Sequence, residues 1–283
     1  MTTASDPQTL VDPEERARAR QRSLERWGKW TLPVVVMALA LLGWHLLVRV
    51  NDIPHYILPG PGRVFSQLVA DWSLMMAAAW VTLKITLFAL FFAVAGGVGL
   101  AVLFTQSKWA EMSFFPYAVI LQVTPVVAVA PLIQIYVESA FAGALICAWI
   151  VAFFPILSST TVGLKSTDHN LRDLFGIYGA SRWQRLRHLQ APAALPYFLS
   201  GLRIGGGLAL IGSVVAEFVI GRSGTGLGLA SVLLEAGYRL NIPRLFAALV
   251  LISILGVLIF MALSLISHLA LRKWHESAVS REA

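Results

Sequence analysis

The chain has 283 residues, of which 57% are apolar and only 13% charged, with a net charge of +7. Soluble domains are about 45–50% apolar and about 25% charged, so this surplus excludes a protein bathed in water on all sides and leaves a lipid bilayer as its solvent. The single cysteine, Cys147, excludes a disulfide framework within the chain and a thiolate metal cluster, and the positive charge is distributed as a membrane-topology signal rather than a nucleic-acid footprint.

Residues 1–30 mix Asp12, Glu14 and Glu15 with alternating arginines, too polar for a cleaved signal peptide, and are expected to form a solvated cytoplasmic tail. The first membrane segment, 31–50, is uncharged from Thr31 to Val48 and is preceded by Trp27 and Trp30, which suit a headgroup boundary. Segment 51–73 opens as a turn-rich loop with Pro54, Pro59, Gly60 and Pro61. Val64, Phe65, Leu68, Val69 and Trp72 then recur at helical spacing, which predicts a short helix lying flat on the outer interface.

A five-helix core is expected over 74–272. Ile85 to Ser107, Met112 to Val137, Ser139 to Leu164 and Leu245 to Leu271 each exceed the roughly 20 residues needed for a 30 Å hydrocarbon layer. Ala194 to Ile220 is interrupted by Arg203 and Glu217 but is apolar or small between them, and completes six transmembrane helices. Pro116, Pro125, Pro131 and Pro155 predict bends in the third and fourth spans. Fifteen Lys and Arg fall on the side of the N-terminus and five on the other, which predicts both termini inside, with 273–283 as a second cytoplasmic tail.

The longest inside loop, 165–193, reads as helix, sharp turn, helix. Gly179 suits a left-handed turn, and Ser181 followed by Gln184 forms a capping box. Pro192 is expected to end the second helix and Pro196 to begin the next. Trp183, Leu186 and Leu189 recur every third residue between Arg182, Arg185 and Arg187, a predicted apolar stripe with a basic rim. An apolar stripe on a cytoplasmic loop needs a cover: either lipid headgroups or a partner's groove.

Asp173-Leu174-Phe175, Gly179, Leu189 and Ala191-Pro192 stand at the spacing of the EAA loop of bacterial ATP-binding-cassette (ABC) importer permeases, and this segment resembles that loop. Two alanines are replaced by Leu174 and Phe175, and a leucine by Ala191. The chain is similar to the nitrate, sulfonate and taurine type of permease at Leu58-Pro59-Gly60-Pro61, Thr124-Pro125, Phe154-Pro155, Val215-Ala216-Glu217 and Gly224-Thr225-Gly226-Leu227-Gly228, a likeness running from about residue 57 to 272. The resemblance implies an all-α, MetI-like permease fold and a partner set of a cytoplasmic ATPase dimer, an extracytoplasmic solute-binding protein and a second permease subunit, expected to be a copy of this chain. It implies that Asp173, Gly179, Ser181, Trp183, Leu186, Leu189 and Pro192 couple the membrane helices to the ATPase. The solutes carried by such relatives include nitrate, sulfonates, taurine and pyrimidine vitamin precursors.

Ionisable groups within a span cost roughly 2.5–3.5 kcal/mol on insertion scales and need a reason. Arg203 either snorkels to the interface or faces the pore. Lys84 and Glu217 sit at similar depth near the outer side, so the sequence allows an interhelical pair or one of them on the translocation path. Gly201 and Gly205 form a G-x-x-x-G pattern that permits close helix approach.

Gly221 to Gly228 lacks the Lys-Ser or Lys-Thr of a phosphate-binding loop, and no Walker A lysine occurs anywhere, so this chain is not the ATPase. The six histidines have no metal-ligand spacing, and neither a catalytic set, a metal site nor a cofactor is expected. The rival class is an ion-coupled secondary transporter, for which Glu217 would be the sole acidic group well within a span.

Overall fold

The computed structural model describes residues 13–220 and 228–272, and every regular element among them is helical. The chain divides into two units, 1–64 and 65–283. The first holds α1 (Pro13–Val50), which carries Pro33 and, over Thr31–Val50, presents its apolar side chains outward, the surface that acyl chains solvate. The short helix expected after the turn-rich loop is α2 (Pro61–Ala70).

The second unit continues with α3 (Trp72–Gln106), α4 (Lys108–Val123), α5 (Val126–Tyr136), α6 (Ala140–Lys165), α7 (His169–Ile177), α8 (Arg182–Arg185), α9 (Ala191–Ile220), α10 (Leu229–Tyr238) and α11 (Ile242–Leu271). α3, α6 and α9 form the centre. Phe104, Phe153, Ile156, Leu157 and Leu210 pack there with Ile259 and Leu263 of α11, and a second cluster gathers Ile85, Ala130, Ala144, Cys147 and Ile220. The G-x-x-x-G pattern brings α9 against α6: a Cβ on Gly201 would lie 2.7 Å from the Ser159 Cβ, and one on Gly205 2.9 Å from Ile156 Cδ1. In lipid, where no hydrophobic drive joins helices, such close approach supplies the dispersion contact.

Three boundaries depart from the sequence expectations. α3 begins at Trp72 rather than Ile85, because Lys84 is carried inside a continuous helix. At 1.5 Å per residue, α3 is about 52 Å long, longer than the hydrocarbon layer, and Lys84 lies about 33 Å from its Gln106 end, near the far edge of that layer.

The third predicted span is not one helix. It breaks at Thr124 and Pro125 into α4 and α5, which meet at 102°. Both residues are extended, with ψ of 121° and 110°, because a residue before proline avoids helical ψ and Pro125 has no N–H to offer. Thr124 closes the end of α4, its N–H and Oγ1 both donating to the Ile120 carbonyl, at 3.0 and 2.6 Å. Five helices are therefore long and apolar enough to cross, six with the bent pair counted as one span.

Nor does Pro192 end a helix. A π-helical turn, Leu186–Gln190, joins α8 directly to α9, and the helix runs on through Pro192 and Pro196. The wider turn shifts the hydrogen-bond register just before Pro192, where a donor is missing.

Candidate functional site

The 165–193 loop folds as two short helices about a glycine turn. Asp168 caps α7, its carboxylate accepting from the Asn170 N–H at 2.8 Å, and the chain reverses at Gly179, whose φ of +65° is the left-handed conformation that the sequence required. Ser181 then opens α8 with the expected capping box: Ser181 Oγ accepts from the Gln184 N–H at 3.2 Å, and Gln184 Oε1 accepts from the Ser181 N–H at 2.8 Å. Glu111 of α4 and Lys165 of α6 form an ion pair beside the base of the loop.

The apolar stripe is corrected. Trp183 is 67% exposed, Leu189 is half-buried and Leu186 is only 5% exposed, packed in the cluster of Phe104, Leu164 and Ala194. The π turn takes more residues per turn than an α-helix, so a three-residue spacing does not keep these side chains on one face. What the loop presents outward is Trp183 together with Leu174, Ile177 and Tyr178 of the α7 end. Ile177 and Tyr178, exposed immediately before the Gly179 turn, were not among the residues singled out from the sequence. Asp173 is exposed on α7, and Pro192 half-buried at the start of α9. The two short helices flank a cleft of about 350 Å³ lined by Leu174, Phe175, Tyr178, Ala180, Gln184 and His188.

At the opposite end of the bundle, Glu217 has partners other than the one the sequence allowed. Glu217 is fully buried, and its carboxylate accepts from Thr82 Oγ1 of α3 at 2.8 Å and from the Ala230 N–H at 3.0 Å. Thr82 Oγ1 in turn accepts from the Leu229 N–H at 2.9 Å. The first amides of α10, which have no partner inside their own helix, are thus held by one side chain from α9 and one from α3. Gly228 is required here by space: a Cβ would run into the Glu217 carboxylate and the Thr82 hydroxyl. Below this knot, the Thr86 and Ser213 hydroxyls lie 2.9 Å apart between α3 and α9. Residues 221–227, including most of the glycine-rich turn, lie outside the described residues.

Among the described residues no ion pair joins Lys84 to Glu217. Lys84 is two residues beyond Thr82 and so about 200° around α3, half-buried on another face. Arg203 does not simply snorkel: its Nη2 donates to Ser267 Oγ of α11 at 2.5 Å.

Like the pair of Glu111 and Lys165, a second ion pair was not anticipated. Arg244, at the start of α11, donates through Nε and Nη2 to Asp71 at 2.6 and 2.9 Å, and Gln67 Nε2 donates to the same carboxylate at 2.6 Å. The hydrogen bonds from Arg244 hold the Asp71 carboxyl below its ordinary range, against the opposing effect of its partial burial. Sequence separation hid this pair, which ties the α2–α3 junction to α11.

A family model described as the binding-protein-dependent transport system inner membrane component matches residues 93–274. The chain is 34% identical over 275 residues to a riboflavin transport system permease protein of Chloroflexus aurantiacus, covering 95% of this chain and 99% of that one. It is 29% identical to a formylaminopyrimidine transport permease protein of Halalkalibacterium halodurans, over 84% of this chain and 94% of that one. Its fold is similar to a chain of the MetNI methionine ABC transporter in inward-facing conformations, with a TM-score of 0.59 at 22% identity, over 70% of this chain and 96% of that one.

Proposed function

Because the chain belongs to the family of binding-protein-dependent transport system inner membrane components, and is the permease subunit of an ABC transporter for a small solute rather than an enzyme, we propose that it forms half of an import pore driven through its α7–α8 loop. A permease of this kind works with an ATP-binding-cassette ATPase and a solute-binding protein. The finer assembly is our reading. Two copies of the chain enclose the pore, two ATPases sit on the side of the α7–α8 loop, and both termini lie on that same cytoplasmic side, as the distribution of Lys and Arg favours.

The observation that carries the reading is the exposed group of Trp183, Leu174, Ile177 and Tyr178 on a glycine-hinged, capped loop at the polar end of the bundle. Apolar surface concentrated on one loop is the surface a partner's groove covers. Closure of the ATPase pair would move this loop, and the continuous α8–α9 connection through the π turn would carry the movement into α9 and the centre of the bundle. In this account Leu186 anchors the loop to the core while Trp183 docks, and Asp173, Gly179, Ser181, Leu189 and Pro192 set its shape.

The solute is proposed to be a small nitrogen heterocycle rather than an inorganic anion such as nitrate. The names of the riboflavin and formylaminopyrimidine relatives support the class. Ion-coupled secondary transport loses its main candidate, since both oxygens of Glu217 already accept hydrogen bonds.

The docking reading is tested with a cysteine at the loop. Cys147 is the sole native cysteine and is buried, so Trp183→Cys supplies the reactive thiol in an otherwise quiet background. Bifunctional crosslinking in intact membranes is expected to capture the ATPase from Trp183→Cys, with capture changing on ATP binding. Capture that never occurs, while the ATPase still co-purifies, would show that another surface docks.

A further inference from the structure

The end of the bundle that carries the α7–α8 loop also holds a cavity of about 370 Å³ that docking does not use. Thr105 and Gln106 at the end of α3 face Arg172, Arg182, Arg185 and Gln190 across it. No carboxylate lines the cavity, and among the described residues none of the three arginines is in an ion pair. Each guanidinium is only partly engaged. Arg172 Nε donates to Thr167 Oγ1 at 2.8 Å, Arg182 Nη1 makes one long contact to the Gln106 carbonyl at 3.4 Å, and Arg185 Nε is shut off from solvent with no partner.

Three like charges turned towards one space repel each other, and neutral acceptors offset that repulsion only weakly. An oxyanion with several acceptor oxygens meets the guanidinium geometry far better, since each planar fork can donate two parallel hydrogen bonds. The neighbouring surface says what the oxyanion is attached to. Val94, Val98 and Val102 precede Thr105 and Gln106 on the same face of α3. With Leu195 and Phe198 of α9 they line an apolar crevice of about 710 Å³ that reaches the same loop at Trp183 and Leu186. A charged cavity at the end of α3 and an apolar crevice one to three turns back along the same face of α3 together match the chemistry of a phospholipid, an anionic head and an apolar chain.

We propose that the arginine cavity binds a phosphate group, presented by an anionic phospholipid whose acyl chain lies in the crevice. Bound there, the lipid would neutralise the side of the loop that faces α3, and its chain would pass beside Trp183, which borders the crevice and keeps exposed surface for the ATPase.

The test is native mass spectrometry of the full chain with its ATPase, released from vesicles of phosphatidylcholine containing a minor fraction of phosphatidylglycerol, with inorganic phosphate titrated separately. Phosphatidylglycerol should be retained in preference to phosphatidylcholine. Arg185→Gln and Arg172→Gln should each lower that retention about tenfold, the loss expected for removing one charge-assisted contact. Arg239→Gln, which removes an exposed ion pair of α10, should leave it unchanged. Saturable binding of inorganic phosphate without a lipid preference, lost in the same two variants, would support the cavity with the anion supplied from solution.

The same spectra report ATPase co-purification, so failure of the phosphate site and failure of the docking reading are separate results. If Arg185→Gln does not fold, Arg185→Lys keeps the charge and should retain the lipid. Equal retention of the two lipids with no phosphate binding would overturn the proposal, as would retention indifferent to every arginine substitution.

Discussion

Thr82→Val keeps the size and branching of the side chain and removes only the hydroxyl that joins three helices. That oxygen donates to Glu217 Oε1 at 2.8 Å and accepts from the Leu229 N–H at 2.9 Å. Valine leaves both groups without that partner in a buried site. At about 1–3 kcal/mol for each unsatisfied group, the cost is about 2–6 kcal/mol if α10 stays in place. α10 has only ten residues and retains the bond from the Ala230 N–H to Glu217 Oε2 at 3.0 Å, so release of its first turn is the cheaper response to a large penalty. Hydrogen exchange should therefore accelerate at Leu229 and Ala230 by about thirtyfold or more, the equivalent of about 2 kcal/mol, while interior amides of α6 are unaffected. Thr82→Ser retains the hydroxyl and should cost about 1 kcal/mol from the lost methyl. Equal exchange in the valine and serine variants would refute the assignment of α10's anchorage to this hydroxyl.

Gly201→Ala places a Cβ 2.7 Å from the Ser159 Cβ and 3.0 Å from the Pro155 carbonyl, and should lower stability by about 1–3 kcal/mol in thermal unfolding. Gly207→Ala, with nothing within 4 Å, should not share that loss. Asp71 is more acidic in the folded chain than the roughly 3.9 of an unfolded aspartate. Its contribution is thus present above about pH 4 and lost as pH falls through the lower folded value; an acid titration of stability should show this loss in the wild type and not in Asp71→Asn. Leu186→Ala should cost about 2–5 kcal/mol because Leu186 is buried, whereas Trp183→Ala should cost under about 1 kcal/mol and act on coupling instead, a contrast read by denaturation beside transport.

The spans, the glycine turn and the capping box were legible in the sequence because each rests on local physics: apolar length for the spans, the conformational freedom of Gly179, and the three-residue reach from Ser181 to Gln184. The stripe of Trp183, Leu186 and Leu189 was misread because its spacing presumed an unbroken α-helix, and a π turn leaves no mark in residue periodicity. The Thr124-Pro125 break was legible as a bend, but its 102° was not, since the angle depends on what the two halves pack against. Glu217 stood out as a charge among apolar residues. Its partners did not: Thr82 is 135 positions away, and the Leu229 and Ala230 amides are backbone groups that every residue possesses. Asp71 and Arg244 were hidden for the same reason, being 173 positions apart in a chain with other charges near the same boundary.

The central claim is that the α7–α8 loop makes transport depend on the ATPase. The most direct measurement is solute uptake alongside ATP hydrolysis in proteoliposomes holding this chain, its ATPase and its solute-binding protein. Uptake should stop when the ATPase is rendered unable to hydrolyse ATP, and Trp183→Ala should lower the solute carried per ATP while leaving the protein folded. Uptake that persists without hydrolysis and follows an ion gradient would contradict the account.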